Sequence, residues 1–180
     1  MSRAAPKVPS DDHAGTDKPP FDFRALRNAL GCFATGGTFI TAAGEDDVVV
    51  GLTANSFSSV SLNPALVSWS LADHAASLPV FQNCSHYAIH VLHSGQEDLA
   101  MKFSQSRDDK FDGLDIVSGL GRAPILSDAL ATFQCANAYR HMGGAHVLFL
   151  GAMEEFSTQP GEPLIFHSGK FGQLQCEKSE

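Results

Sequence analysis

Between Val48 and Leu71 two apolar stretches are separated by a run of hydroxyls, and this arrangement restricts the chain more than any other feature. Val67, Trp69 and Leu71 alternate with Ser68 and Ser70. A period of two puts the apolar side chains on one face of a strand and the serines on the other, which no helix can do. Residues 48–52 read as a second strand. Between them lies Thr53-Ala54-Asn55-Ser56-Phe57-Ser58-Ser59-Val60-Ser61-Leu62, followed by the turn signal Asn63-Pro64. Such a segment suits a loop whose backbone N–H groups and hydroxyls converge on an anionic ligand. It suits equally a Ser-rich connection that binds nothing, and pattern alone leaves both open.

Strands recur along the chain. Residues 38–43 pair with 48–52 as a predicted hairpin through Gly44-Glu45-Asp46-Asp47. Residues 87–92, 130–139, 145–153 and 164–167 read as further strands. Arg140-His141-Met142-Gly143-Gly144 links the two long ones, and Ser168-Gly169-Lys170 closes the last. Helices are fewer. Asp22 is a predicted N-cap, and Phe23, Leu26, Leu30 and Phe33 recur at helical spacing, giving one apolar face. Ser77 heads a short helix with Leu78, Val80 and Phe81, with Pro79 tolerated in its first turn. Ser94 and Glu97 form a predicted capping box for a helix carrying Leu99, Ala100 and Phe103. Residues 104–128 read mostly as loop, with a helical turn near 107–111. The fold class is therefore mainly β with peripheral helices, an antiparallel β-barrel. Residues 1–20 read as a disordered N-terminal arm, 21–174 as one folded domain and 175–180 as a polar tail.

Charge and motif content exclude several functions. A formal net charge of −8 argues against nucleic-acid binding, which needs a basic patch. No apolar run approaches the roughly 18 residues of a membrane span, and the N-terminus lacks a signal peptide's apolar centre, so the expected location is cytoplasmic. Cys32, Cys84, Cys135 and Cys176 are too widely spaced for a zinc framework or a disulfide scaffold. His90 and His93 fall on opposite faces of a strand and no His-Glu-x-x-His is present, so no metal site is expected. Phosphate-loop, dinucleotide-fold and serine-hydrolase signatures are all missing. His146 stands apart, because it opens an apolar strand after Gly143-Gly144 and can project from a barrel rim. The alternative is a histidine satisfied by backbone groups at a strand start.

Five segments, in order, carry a resemblance. They are residues 27–36, Thr53 to Ser61, residues 81–92 with Gln96 and Leu99, Gly144-Ala145-His146 with Gly151, and residues 163–174. Together they resemble the short-chain flavin reductase family, with its FMN-binding split β-barrel, the reductase component of two-component flavin-dependent monooxygenases. The resemblance implies FMN, or FAD, as flavin and NADH or NADPH as hydride donor. It makes Thr53, Ala54, Asn55 and Ser56 the wall beside the flavin ring. Hydride arrival leaves negative charge along the ring edge, which fixed backbone N–H groups stabilise without reorganising. Ser58 and Ser59 become phosphate candidates, with Ser77 as a third. Thr35 and Gly36 would line the ring from the first turn, and Phe103 would border the cofactor or simply fill the core. Phe171 would cover a ring face or be core.

His146 is the one catalytic candidate. It matches the family's histidine beside the nicotinamide, and its implied role is positioning, since hydride transfer mainly requires stacked and correctly spaced rings. Ala145 departs from the family's usual Asp at that place. The implied partners are a second copy of the chain in a homodimer, flavin and nicotinamide nucleotides, and a separate monooxygenase. Ala145 keeps open a different function, an electron carrier that holds flavin tightly and ignores NAD(P)H. A split-barrel oxidase of a phosphorylated vitamin ranks lower, because no basic pocket for a second phosphate is evident.

Overall fold

A computed structural model describes residues 22–45, 48–105 and 110–175. The predicted arm 1–20, residues 46–47 of the predicted hairpin turn, residues 106–109 with most of the predicted helical turn near 107–111, and the tail from residue 176 lie outside the described residues. Among the described residues twelve strands form three sheets around the strands that the alternation predicts. The main sheet has seven antiparallel strands in the order β3-β2-β6-β9-β10-β5-β4. Its members are β2 (Thr38–Ala43), β3 (Val49–Ala54), β4 (Ser58–Leu62), β5 (Ala65–Ala72), β6 (His86–Val91), β9 (Ala131–Gly143) and β10 (His146–Thr158). A three-stranded sheet joins β1 (Thr35–Gly36), β11 (Ile165–His167) and β12 (Lys170–Gly172). A two-stranded sheet pairs β7 (Ile116–Ser118) with β8 (Pro124–Leu126).

The two edges of the main sheet are β3 and β4, which are consecutive in the chain and joined only by Asn55-Ser56-Phe57. Six strand spacings make a flat sheet roughly 29 Å wide. The connection from Ala54 to Ser58 spans at most about 15 Å. The sheet therefore has to curl until its edges approach. They do not pair, so the barrel stays split along the seam between them.

Two cores follow from this curl. Inside lie Trp69, Phe149, Phe81, Tyr87, Ile40 and Ile89, with Trp69 stacked on Phe149 at 4.5 Å between ring centroids. On the opposite face of β2, Phe39 packs with Leu92, Phe103, Leu126 and Leu164 beneath α3 (Glu97–Ser104). All six residues of β2 are buried for this reason. Burial pushes the Cys84 thiol up and the Cys135 thiol up to about 12, so both are inert packing groups.

Several elements depart from expectation. The hydroxyl-rich segment is not one loop, since Ser58–Leu62 is an edge strand paired with β5 and only 55–57 are irregular. Ser94 does not cap α3. Gln96 stands at the N-cap, and its side chain instead accepts from His93 N–H and donates to the Asp128 carbonyl. The 104–128 stretch contains the β7–β8 hairpin and a 3-10 turn, Leu120–Arg122. Helix α1 (Phe23–Gly31) forms with Asp22 as its cap, the carboxylate accepting from Arg24 N–H at 2.8 Å. Its apolar residues are not covered, however: Phe23, Leu30 and the following Phe33 are 66%, 67% and 78% exposed. Helix α2 (Leu78–Asn83) follows Ser77, whose side chain makes no cap bond.

His90 is fully buried between β2 and β8. Leu126 N–H donates to Nε2 at 3.1 Å, so the proton sits on Nδ1 and is donated to the Phe39 carbonyl at 2.9 Å. Burial lowers its pKa to about 4, because charging this ring would require desolvating an imidazolium and breaking the Leu126 bond. The unfolded chain takes up that proton near pH 6.5, while the folded chain does not until about pH 4. His90 therefore contributes its full stability above about pH 6.5 and loses it as pH falls to about 4, a difference of roughly 3 kcal/mol. Urea unfolding of wild type and His90→Asn at pH 7 and 4.5 should show a steeper acid loss in the wild type.

Candidate functional site

The outer edge of β3 has no strand partner, so half of its backbone polar groups face away from the sheet. Three adjoining lobes open along it. The first, of about 510 Å³, is bounded by Leu52 to Ser56, by Ser70, Leu71 and Ala72 of β5, and by Gly143 and His146 at the tip of the β9–β10 hairpin. The second, of about 300 Å³, has Thr53, Ala54 and Asn55 on one side and Gly37, Met101, Ser104, Phe166 and Phe171 on the other. The third, of about 530 Å³, runs along Val49 to Leu52 toward Ser77, Phe103, Gln105, Lys110 and Phe111. Thr53, Ala54 and Asn55 are the wall common to the first two.

Local chemistry fixes that wall. Thr53 Oγ1 donates to the Ala100 carbonyl at 2.7 Å, tying β3 to α3. Thr38 Oγ1 donates to the Ala54 carbonyl at 2.6 Å. Ser56 Oγ accepts from Ser70 N–H at 2.9 Å and donates to the Ser70 carbonyl at 3.3 Å, so one hydroxyl replaces a strand partner at the seam. These hydroxyls serve the fold first. The groups left to meet a ligand are the backbone of the strand end and the Asn55 amide.

His146 reaches the first lobe through sheet register. It lies opposite Ala72 on β5 and Gly143 on β9, and Gly144-Ala145 alone make the turn. Gly144 has φ 66°, a conformation that a side chain would strain. Asp73 N–H donates to the Ala145 carbonyl at 3.0 Å and anchors the tip to the end of β5. The His146 ring is exposed, facing the Thr53–Ser56 wall across the lobe.

The predicted residues separate into groups. Thr53, Ala54, Asn55, Ser56 and His146 come together around one cavity, and Phe171 closes the neighbouring one with Phe166, at 5.2 Å between centroids. Phe103 is 2% exposed, belongs to the second core and forms the floor of the third lobe, which Ser77 also lines. Thr35 and Gly36 pair with Phe166 and Ile165, one step from the lining residue Gly37, and stand outside the three lobes. Ser58 and Ser59 are exposed on β4, past the seam and also outside the lobes. Lys110 escaped the sequence reading because it sits in a polar stretch with no periodicity, and Met101 and Phe166 because they look like ordinary packing residues. Among the described residues no three metal-ligating side chains converge, and no helix is long and apolar enough to cross a membrane.

Comparison with known proteins decides the family. The flavin reductase like domain matches residues 30–175. The chain belongs to the flavin reductase like family. An FMN reductase (NADH), SmoA, of Agrobacterium fabrum is 39% identical over 151 residues, covering 84% of this chain and 86% of that one. HsaB, the reductase subunit of a flavin-dependent monooxygenase of Mycobacterium tuberculosis, is 34% identical over 161 residues, covering 88% and 86%. The NADH:FAD oxidoreductase SgcE6 of Streptomyces globisporus, solved in complex with NAD and FAD fragments, superposes with a TM-score of 0.83 at 34% identity, over 88% of this chain and 96% of that one. The fold of this flavin reductase like chain is accordingly the split β-barrel.

Gly51, on the third lobe's wall, is a close-approach position. A Cβ there would stand 2.7 Å from the Phe39 ring, 2.9 Å from Phe103 and 3.0 Å from Phe111. Gly51→Ala should therefore force the three rings apart and lower stability by about 1–3 kcal/mol. Thermal melts of the two proteins check this; an unchanged midpoint would mean the ring cluster yields freely.

Proposed function

We propose that the protein catalyses NAD(P)H-dependent reduction of FMN, or of FAD, and releases the reduced flavin to a separate flavin-dependent monooxygenase. The observation that carries this reading is the shared wall Thr53-Ala54-Asn55, with His146 across one lobe and Phe171 across the other. Both lobes have the size range of small-molecule sites, and a planar ring fits between an edge-strand backbone and aromatic side chains. Flavin, when bound, supplies the hydride-accepting ring. The chain supplies fixed backbone donors at the β3 edge for the charge that develops. Phe166, Phe171 and Met101 exclude water from the second lobe, and His146 orients the donor beside the first. The openness of His146 to solvent suits exchange of both partners during a catalytic cycle.

Relatives named as FMN reductase (NADH) and as monooxygenase reductase subunits support this function. Ser58 and Ser59, exposed beyond the seam, are assigned to flavin phosphate contacts, with Thr35 and Gly36 behind the ring. The bare apolar residues of α1 support a homodimer in which a second copy covers Phe23, Leu30 and Phe33. Location in the cytoplasm accords with a function that consumes NAD(P)H.

Anaerobic mixing with FMN and NADH, or NADPH, should bleach the flavin absorbance. Flavin that stays oxidised with both donors would defeat the assignment. Protein that retains flavin through dialysis would then favour the electron carrier. His146→Ala should raise the KM for NADH at least about tenfold while leaving the Kd for flavin near wild type. Equal loss of both, in a variant that melts normally, would remove the positioning role.

A further inference from the structure

Away from the three lobes, the start of β6 meets a bulge in β10, and three polar side chains are linked there in a row. Ser85 Oγ stands 2.9 Å from His86 Nδ1, and His86 Nε2 stands 3.2 Å from a Glu154 carboxylate oxygen. An ionised carboxylate can only accept, so Nε2 carries the ring proton and Nδ1 accepts from the Ser85 hydroxyl. The order is hydroxyl, imidazole, carboxylate, the arrangement that makes a serine oxygen nucleophilic. Two backbone irregularities assemble it. The register of β10 against β9 skips Glu154 between Met153 and Glu155, and this extra residue sends its side chain across β9 to His86. Gly121, at φ 57°, brings its backbone against the pair: a Cβ there would stand 2.8 Å from Ser85 Oγ and 3.0 Å from His86 Nδ1. Arg122 follows at φ 63°, a left-handed conformation that is unfavourable for a non-glycine residue and clusters at functional sites.

These groups open on a cavity of about 280 Å³, bounded by Gly44 and Glu45, by Asn83 and Ser85, and by Gly121 and Arg122. It shares no lining residue with the three lobes. Ser85 is exposed, and the His86 side chain beside it is 24% exposed. Arg122 donates to the Gly44 carbonyl at 2.8 Å, which holds its guanidinium on the cavity wall. We propose that Ser85 and His86, with Glu154 positioning the ring, form a separate reaction site that hydrolyses small carboxylic esters. Ser85 Oγ bonds to the ester carbonyl carbon as its proton passes to His86 Nδ1, and Arg122 offsets the negative charge that forms on the carbonyl oxygen. Collapse breaks the bond to the alcohol oxygen, which leaves with the proton from Nδ1. Water then attacks the acyl carbon and gives a proton to Nδ1, which returns it to Ser85 as the acid departs. Ester and water become acid and alcohol, with no electrons transferred. Glu154 touches no substrate; it fixes the ring tautomer and stabilises the imidazolium. The small cavity suits a short acyl group.

The test follows nitrophenol release from p-nitrophenyl acetate by wild type, Ser85→Ala, His86→Gln, Glu154→Gln and Glu154→Asp. Ser85→Ala and His86→Gln should each lower kcat/KM about a hundredfold. Glu154→Gln should lower kcat and leave KM near wild type, and Glu154→Asp should recover part of the lost rate. A second measurement needs no variant to fold. A fluorophosphonate added to wild type should bond to Ser85 Oγ with loss of fluoride, and peptide mass spectrometry locates the label. Hydrolysis that persists undiminished in Ser85→Ala overturns the site. So does wild-type protein that releases no nitrophenol above the buffer rate, or that leaves Ser85 unlabelled.

Discussion

Joining the two edges of a seven-stranded sheet by only Asn55-Ser56-Phe57 is the constraint from which most of this structure follows. A flat sheet would hold those edges much farther apart than the connection can reach. Curling brings them together without pairing them, and so leaves an edge strand with free backbone groups at the seam. A closed barrel would have consumed those groups in a ladder, and an open sheet would have left them facing bulk water. The split form keeps them inside a groove, where donors are both available and fixed in direction.

Within that groove the side chains and backbone divide their duties in an unexpected way. The hydroxyls of Thr53 and Ser56 look ligand-directed in the sequence, but each, like that of Thr38, is bonded to a backbone group. They hold the seam in shape, and in doing so aim the strand end. The aromatic cluster of Phe39, Phe103 and Phe111 performs a similar task from below, with ring centroids 4.2 Å apart for the first two. Gly51 permits that approach by having no side chain. The site is thus held from both faces of one strand pair, β2 and β3.

What the sequence made legible was whatever depends on local period. The alternation of Val67, Trp69 and Leu71 gives β5 with its faces correctly assigned, and Asp22 is read correctly as a cap. The family resemblance pointed to residues 53–56 and His146, which the fold brings to one cavity. Features set by distant contacts were hidden. The segment Ser58–Leu62 looks like a loop because its serines and its exposed Val60 and Leu62 match an edge strand with water on both sides, for which no period is imposed. Ser94 gave way to Gln96 because Asp128, far along the chain, supplies a better partner for the amide. The apolar spacing of α1 is real, but spacing cannot say that this chain leaves the face uncovered.

The two-residue turn Gly144-Ala145 gives the protein a rule of parity. His146 faces the groove because it is in register with Ala72 and Gly143, while its neighbour Val147 is buried in the barrel. Strand side chains alternate, so gaining or losing one residue at this tip, with the ladder above it re-paired from β9, would exchange those two side chains. An imidazole would enter the apolar interior and a valine would face the groove. Among descendants of such a hairpin, length changes that preserve the histidine's outlook should come in pairs, or be absorbed by a bulge like those already present at Leu150/Gly151 and Met153/Glu155.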